Sequence, residues 1–367
     1  MRGALLFIAI FALSMLIIPM IALSYQTEPR ASRPVQTPAQ REPQPAANAA
    51  LEPLPPTSPP TRPVDIEAEE FSSVHPISHI PAVRYFSVLD ESTGEIHVIS
   101  VRDYVRGAVA AEMPASFHPQ ALKAQAVAAH TFALHQHLVQ QRNPNPDLRG
   151  ADFSADPSNR WGFVTEQTAR EIFGYREDEH WEIITSAADS VLHLILKFEG
   201  EPIVAAYHAM SAGRTEYASN VWIGSAPYLI PAESAGDLLA PGFETQESFS
   251  AQQLRAAIRE VYPDILLEGE PSGWLEVAAR SSSGYVTTIR VGDTILRGID
   301  VRRALDLRSH HFEIEQSGDF FTFTVRGYGH GVGLSQRGAD YLARQGLSFE
   351  EILANYYTGA VLYQIGR

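Results

Sequence analysis

The 367-residue chain contains no cysteine. That absence excludes disulfides, thiolate zinc sites, a cysteine nucleophile and the cysteine of a bacterial lipid anchor, and leaves the redox compartment open. Basic residues are also scarce: 28 Lys and Arg stand against 43 Asp and Glu, for a formal charge of -15, and they form no dense run. Such a surface repels phosphates, which argues against a nucleic-acid partner. With 45% hydrophobic and 19% charged residues, the composition is globular, and the length allows one large domain or two smaller ones. No internal repeat is present.

Charge is missing most conspicuously from Gly3 to Ser24, an almost wholly apolar run preceded by Arg2. Roughly 20 such residues span the hydrocarbon core as a helix. Two readings fit: an uncleaved signal anchor, or a signal peptide cut after Ala22-Leu23-Ser24. The run exceeds a usual signal core, which favours a transmembrane anchor over residues 1–25. Arg2 then stays cytoplasmic and the rest is exported. Thr27 to Pro81 follows with 13 of the 25 prolines, a composition that favours extended polyproline II and cannot build a core. Residues 26–82 therefore read as a linker, reaching on the order of 170 Å when extended at about 3.1 Å per residue.

Folded sequence begins near Val83. Arg84 to Val101 alternates around the turn Glu91-Ser-Thr-Gly94, as in a hairpin. Arg102 to Met113 reads as a helix stopped by Pro114, and Pro119 opens an alanine-rich helix reaching about Gln141. Shorter helices are expected at Thr165–Phe173, Trp181–Asp189, Ala251–Val261 and Gly298–Leu305. Strands are expected within Val191–Ala209, at Leu275–Arg280 and Tyr285–Val291, and across Phe312–Val325 about Ser317-Gly318-Asp319. Gly346 closes a helix ending at Gln345, and Ser348 with Glu351 forms a capping box for the next. Helices and strands come in blocks, which predicts an α+β fold of helices and antiparallel strands in one domain, residues 83–367.

Val105, Val109 and Glu112 follow i, i+4, i+7 spacing and share one helix face. A carboxyl on a stripe that faces the core should resist ionisation, as a general acid near neutral pH requires. The plainer alternative is a Glu that snorkels at a helix end. On the next helix Lys123 and Gln125 are the polar residues near the start, with His130 further along; a solvated lysine and a satisfied core imidazole are the plain readings there. His208-Ala-Met-Ser211 follows a strand but lacks the glycine two residues before the serine that a nucleophile elbow needs, so substrate contact is the better reading. Gly327-Tyr-Gly-His330-Gly-Val-Gly places glycines at alternate positions and then enters a helix. It is neither a phosphate loop, lacking Gly-Lys-Ser/Thr, nor a dinucleotide fingerprint, lacking the βαβ context. Alternating glycines let a backbone approach a ligand closely, which suggests a site wall, against a tight packing turn as the alternative. A zinc hydrolase on His135, His137, His310 and His311 is a distant reading, because a helix aims residues two apart to different faces.

Two blocks, Tyr104-Val-Arg-Gly-Ala-Val-Ala-Ala-Glu-Met-Pro with Ala121-Leu-Lys-Ala-Gln-Ala-Val-Ala-Ala, and Gly327-Tyr-Gly-His-Gly-Val-Gly-Leu-Ser-Gln-Arg-Gly-Ala, resemble the stage II sporulation protein D family. Tyr207-His-Ala-Met-Ser-Ala-Gly-Arg-Thr-Glu is similar to the family's His-Ser-x-Ser-Gly-Gly-x-Thr, and Val221-Trp-Ile-Gly with Pro227-Tyr-Leu to its Val-Trp and Pro-Tyr-Leu. Glu351-Ile-Leu and Tyr356-Tyr-Thr-Gly match as well, so five ordered motifs cover roughly residues 95 to 363.

The resemblance implies a membrane-anchored lytic transglycosylase on the extracytoplasmic side of a bacterial cell membrane, acting in sporulation and engulfment. Such enzymes cut peptidoglycan glycan strands, already stripped of stem peptides by a partner amidase, between N-acetylmuramic acid and N-acetylglucosamine. A single carboxyl suffices because the muramic C6 hydroxyl closes a 1,6-anhydro ring without water, where hydrolytic glycosidases usually need two. The position of the catalytic acid is Glu112. Substrate contacts are implied for Lys123, Gln125, His130, His208, Ser211, Thr215, Trp222, Tyr228, His330, Ser335 and Gln336. Membrane sporulation proteins are further implied partners, and no cofactor is.

Two departures stand out. Many members carry Arg where this chain has His130, replacing a permanent bidentate donor by a titrating one. Many also bind zinc through Cys and His in the loop after the alanine-rich helix, whereas Gly150–Trp161 contains neither residue. No metal is therefore expected here. The rival function is a non-catalytic wall-binding module that enhances an amidase. Retention of Glu112 and Lys123 favours the enzyme.

Overall fold

A computed structural model describes residues 83–157, 162–222, 224 and 226–365. The apolar Gly3–Ser24 run, the proline-rich linker and part of the Gly150–Trp161 loop lie outside the described residues. Among those described, no helix is long and apolar enough to cross a membrane.

The chain opens with the expected hairpin, β1 (Tyr85–Asp90) and β2 (Ile96–Ser100), antiparallel about Glu91–Gly94. Helix α1 (Val101–Glu112) starts where the Ser100 hydroxyl accepts from the Asp103 amide, and ends as Met113 turns extended before Pro114. Helix α2 (Pro119–Arg142) has proline at its first position and a run of alanines that lets neighbours approach. Gly107 on α1 shows how close: a Cβ there would lie 2.1 Å from the Val164 carbonyl oxygen. Strand β3 (Phe153–Ala155) then joins β1 in parallel. Helices α3 (Glu166–Phe173) and α4 (Glu177–Val191) follow. The sequence placed the latter's start four residues late; Glu177, Asp178 and Glu179 belong to its first turn, where acidic groups meet the positive end of the helix dipole.

Next come β4 (Leu194–Phe198), β5 (Glu201–Pro202) and the two-residue β6 (Tyr207–His208). A second part of the fold runs through β7 (Glu244–Ser250), α5 (Ala251–Val261), β8 (Leu275–Arg280), β9 (Val286–Val291), β10 (Thr294–Leu296), α6 (Gly298–Ala304), β11 (Phe312–Ser317) and β12 (Phe320–Arg326). The chain closes with β13 (Leu334–Ser335), α7 (Gln336–Arg344), α8 (Phe349–Tyr356) and β14 (Val361–Gln364). Ser348 and Glu351 make the expected capping box on α8.

Among the described residues the architecture is α+β with five small sheets, ordered β2-β1-β3, β14-β4-β5, β13-β6, β10-β9-β8 and β11-β12-β7. Pairing is mostly antiparallel, but β1–β3 and β6–β13 are parallel. Among the described residues, the single domain read from the sequence contains two large hydrophobic cores, beside a small cluster of Leu134, Leu138 and Ile195. One gathers α1, α2, α4, α7 and α8 around residues such as Val105, Leu122, Ile184 and Tyr357. The other lies within residues 254–325, where alternate residues of β12 (Phe321, Phe323, Val325) pack on Leu254, Ile258, Trp274 and Ile289. That second core is inserted between β6 and β13, so the parallel pairing of these two short strands carries the chain back to where it left the first core.

Candidate active site

Glu112 is the last residue of α1 and is 5% exposed, at the end of a face whose Val105 and Val109 are fully buried. Its Oε2 accepts a 2.8 Å hydrogen bond from Nε2 of Gln336, the first residue of α7. The first and fourth of the five motifs thus meet at one carboxyl. Tyr104 and Tyr207 lie close enough for the Glu112 charge to add to burial in pushing their phenols up.

On α2, Gln125 is fully buried, and neither its Oε1 nor its Nε2 has a hydrogen-bond partner among the described residues. Lys123 is half-buried near the start of the helix. His130 faces the other way, towards the backbone of Leu192 and Leu194 at the α4–β4 junction. Burial lowers its imidazole to about 4, so it stands neutral where the family resemblance placed a cation.

Ser335 pairs opposite His208 and Leu334 opposite Tyr207 in the β6–β13 ladder, which lays the glycine-rich segment along the His208 strand. The Val332 peptide lies between two imidazoles and fixes both. Its carbonyl accepts from His208 Nδ1 at 3.1 Å, and its N–H donates to His330 Nδ1 at 3.1 Å. His208 therefore keeps a lone pair on Nε2, which has no partner among the described residues. His330 sits between Trp222, with ring centroids 4.8 Å apart, and His208 at 5.6 Å. Burial drives the His208 imidazole down to about 3 and holds His330 well below its ordinary value.

The alternating glycines differ from the expectation. All four adopt positive φ: Gly327 at 80°, Gly329 at 112°, Gly331 at 78° and Gly333 at 72°. What approaches them is protein. A Cβ at Gly329 would meet that of His208 at 2.8 Å, one at Gly331 the Tyr285 ring at 2.7 Å, and one at Gly333 the Ala206 carbonyl oxygen at 2.1 Å. The segment is a packing turn that carries His330, rather than a backbone wall held open for a ligand.

Other residues singled out by the sequence are held inside the fold. Ser211 donates its amide and hydroxyl to Asp237 Oδ2 at 2.8 and 2.6 Å, and Ser335 donates to Oδ1 at 2.7 Å. Thr215 Oγ1 accepts from the Ala232 amide, and Tyr228 Oη from that of Val204. Asp237 had no signal in the sequence: Ser-Ala-Gly-Asp resembles an ordinary polar turn, and only the fold brings it to the two serines.

The four histidines of the zinc reading do not converge on one point. His135 Nδ1 lies 2.9 Å from the Pro202 carbonyl oxygen and His137 Nδ1 2.8 Å from Asp152 Oδ1, while His310 and His311 pack against Tyr285. Among the described residues no group of three or more His, Asp or Glu is placed to hold a metal ion.

The sequence is similar to those of known proteins of one family. The family model described as "Stage II sporulation protein" (SpoIID) matches residues 90–198. Stage II sporulation protein D of Bacillus amyloliquefaciens is 33% identical over 268 residues, covering 73% of this chain and 75% of the relative. The protein of the same name from Bacillus subtilis (strain 168) is 32% identical over 261 residues, covering 71% and 74%. More distantly, the "Amidase enhancer" of Bacillus subtilis (strain 168) is 26% identical over 312 residues, covering 70% of this chain and 40% of that protein.

Proposed function

The chain belongs to the stage II sporulation protein D (SpoIID) family of sporulation proteins, and on that premise we propose that it is a lytic transglycosylase of peptidoglycan with Glu112 as its acid and base. The observation that carries the reading is the buried Glu112–Gln336 pair, which joins two of the five motifs of the resemblance at one carboxyl. Glu112 gives its proton to the glycosidic oxygen as the bond from muramic C1 breaks. The carboxylate then takes the proton of the C6 hydroxyl as that oxygen bonds to C1, and no water is consumed. Burial excludes the solvent that would otherwise compete for C1 and yield a hydrolytic product. Gln336 holds one carboxyl oxygen in place through both steps. The half-buried Lys123 is the group suited to meet a sugar hydroxyl, while the unpartnered Gln125 amide and His208 Nε2 lie buried.

The apolar run and proline-rich linker support a domain held at the membrane and acting outside the cytoplasm on glycan strands that a partner amidase has stripped. The test is product analysis. The wild-type domain, given stripped glycan, releases fragments ending in 1,6-anhydromuramic acid, lighter by one water than hydrolysis products. Glu112→Gln keeps shape and hydrogen bonding but removes the transferable proton, and turnover falls by roughly 10²- to 10⁴-fold. Reducing ends or unchanged activity in Glu112→Gln would overturn this assignment. Similarity to the amidase enhancer favours one second reading, a wall-binding module that stimulates an amidase. Absence of any glycan product from a folded wild-type domain would select it.

A further inference from the structure

Asp237 lies in a short 3-10 turn, Ala235–Leu239, and is fully buried. Both its oxygens accept hydrogen bonds: Oδ2 takes the Ser211 amide and hydroxyl, and Oδ1 takes the Ser335 hydroxyl. Ser335 is the N-cap of α7, its Oγ in turn accepting from the Gly338 amide at 3.2 Å. The next residue is Gln336, whose Nε2 donates to Glu112. Two glycines seat α7 directly on the turn. A Cβ at Gly236 would lie 2.3 Å from that of Tyr341, and one at Gly338 would lie 2.1 Å from Ser234 Oγ and 2.2 Å from Tyr356 Oη. Helix α7 thus packs closely against the turn, and Asp237 holds the hydroxyl that caps its first turn.

We propose that Asp237 is a positioning residue for Glu112, fixing Ser335 at the head of α7 and so holding the Gln336 amide on the carboxyl. A buried carboxylate is costly, and an uncharged polar residue could cap a helix more cheaply. What the carboxylate adds is three charge-assisted acceptor contacts converging from two chain segments, which are shorter and stiffer than neutral ones. In Asp237→Asn the new amide group must face either the Ser211 N–H, a donor against a donor, or Ser335, whose hydroxyl then loses its acceptor. The catalytic role of Glu112 in this inference rests on the proposed function; the positioning of Gln336 does not.

Two readouts separate them. The first needs no substrate: hydrogen exchange at the Gln336 side-chain amide, followed by NMR in the folded domain. Exchange is slow in the wild type and at least about tenfold faster in Asp237→Asn, as expected for a buried bond turned into an opening one. If that variant does not fold, Ser335→Ala removes the linking hydroxyl together with its cap on α7 and gives the same result. Unchanged exchange in either folded variant overturns the inference. The second readout is turnover on stripped glycan. Asp237→Asn lowers kcat by about tenfold or more with KM within about twofold, the split expected when an acid is misaligned but substrate contacts remain. Trp274→Phe, which loses a half-buried hydrogen bond from a residue of the second core to the Glu268 carbonyl, controls for loss of stability alone. An equal fall in kcat for Trp274→Phe overturns the inference. A wild type that makes no glycan product sinks the lytic reading, while the exchange readout still decides the role of Asp237.

Discussion

Gln336→Met isolates the contact on which the site turns. Methionine matches glutamine in length and volume, so the first turn of α7 keeps its packing, but Glu112 Oε2 loses the donor now 2.8 Å away. A hydrogen bond to a charged group contributes about 1.5–3 kcal/mol, and both partners here are buried, so water cannot substitute freely. If the bond steadies the carboxylate formed after the first proton transfer, that range translates to roughly 10- to 150-fold in turnover, at about 1.4 kcal/mol per decade. Stability should fall by a similar amount if the carboxyl is ionised in the ground state, and by less if it is protonated. The assay pairs steady-state release of anhydro-ended fragments from stripped glycan with urea unfolding of the same preparation. A folded Gln336→Met domain with wild-type turnover would refute the claim that this amide aligns the acid.

Three further outcomes are expected. Burial lowers His130 and His311 to about 4 and His208 to about 3, so below pH 6.5 the unfolded chain takes up protons that the folded one refuses; stability should be full above that pH and fall towards pH 4, measured as urea midpoints at pH 7.0 and 4.5, and a flat profile would contradict it. Gly333→Ala should lower the unfolding free energy by at least about 2 kcal/mol, because an L side chain is strained at φ 72° and the new methyl meets the Ala206 carbonyl oxygen; a thermal midpoint unchanged from wild type would count against this. Protease added to protoplasts expressing the full chain should degrade the folded domain and leave a membrane-bound N-terminal stub, whereas a protected domain would rule out export.

Much of the local structure was legible because it is decided locally. Helix α5 (Ala251–Val261) and strand β8 (Leu275–Arg280) fall where periodicity put them, and the Ser348 capping box needs only four neighbouring residues. Strand β7, Glu-Thr-Gln-Glu-Ser-Phe-Ser, was not legible. Its side chains are largely exposed and give no alternation; it is a strand because its backbone completes the ladder of β12. The four-residue β14 likewise depends on β4, more than 160 positions earlier in the chain.

For the site, sequence by itself singled out the candidate side chains. Helical spacing put Glu112 on the buried face of α1, and the ordered motifs identified the family. It also determined that Gly327, Gly329, Gly331 and Gly333 occupy unusual backbone, since only glycine adopts those angles at little cost. Tertiary structure alone decided what they approach, which is the protein itself. It also decided that Gln336, 224 positions from Glu112, is the residue on the carboxyl, and that Asp237 holds the neighbouring Ser335. The physical reason is that local periodicity fixes the direction in which a side chain leaves its own element. Its partner depends on a return path, here the two-residue parallel pairing of β6 with β13 across an inserted core, and no stretch of sequence encodes that meeting.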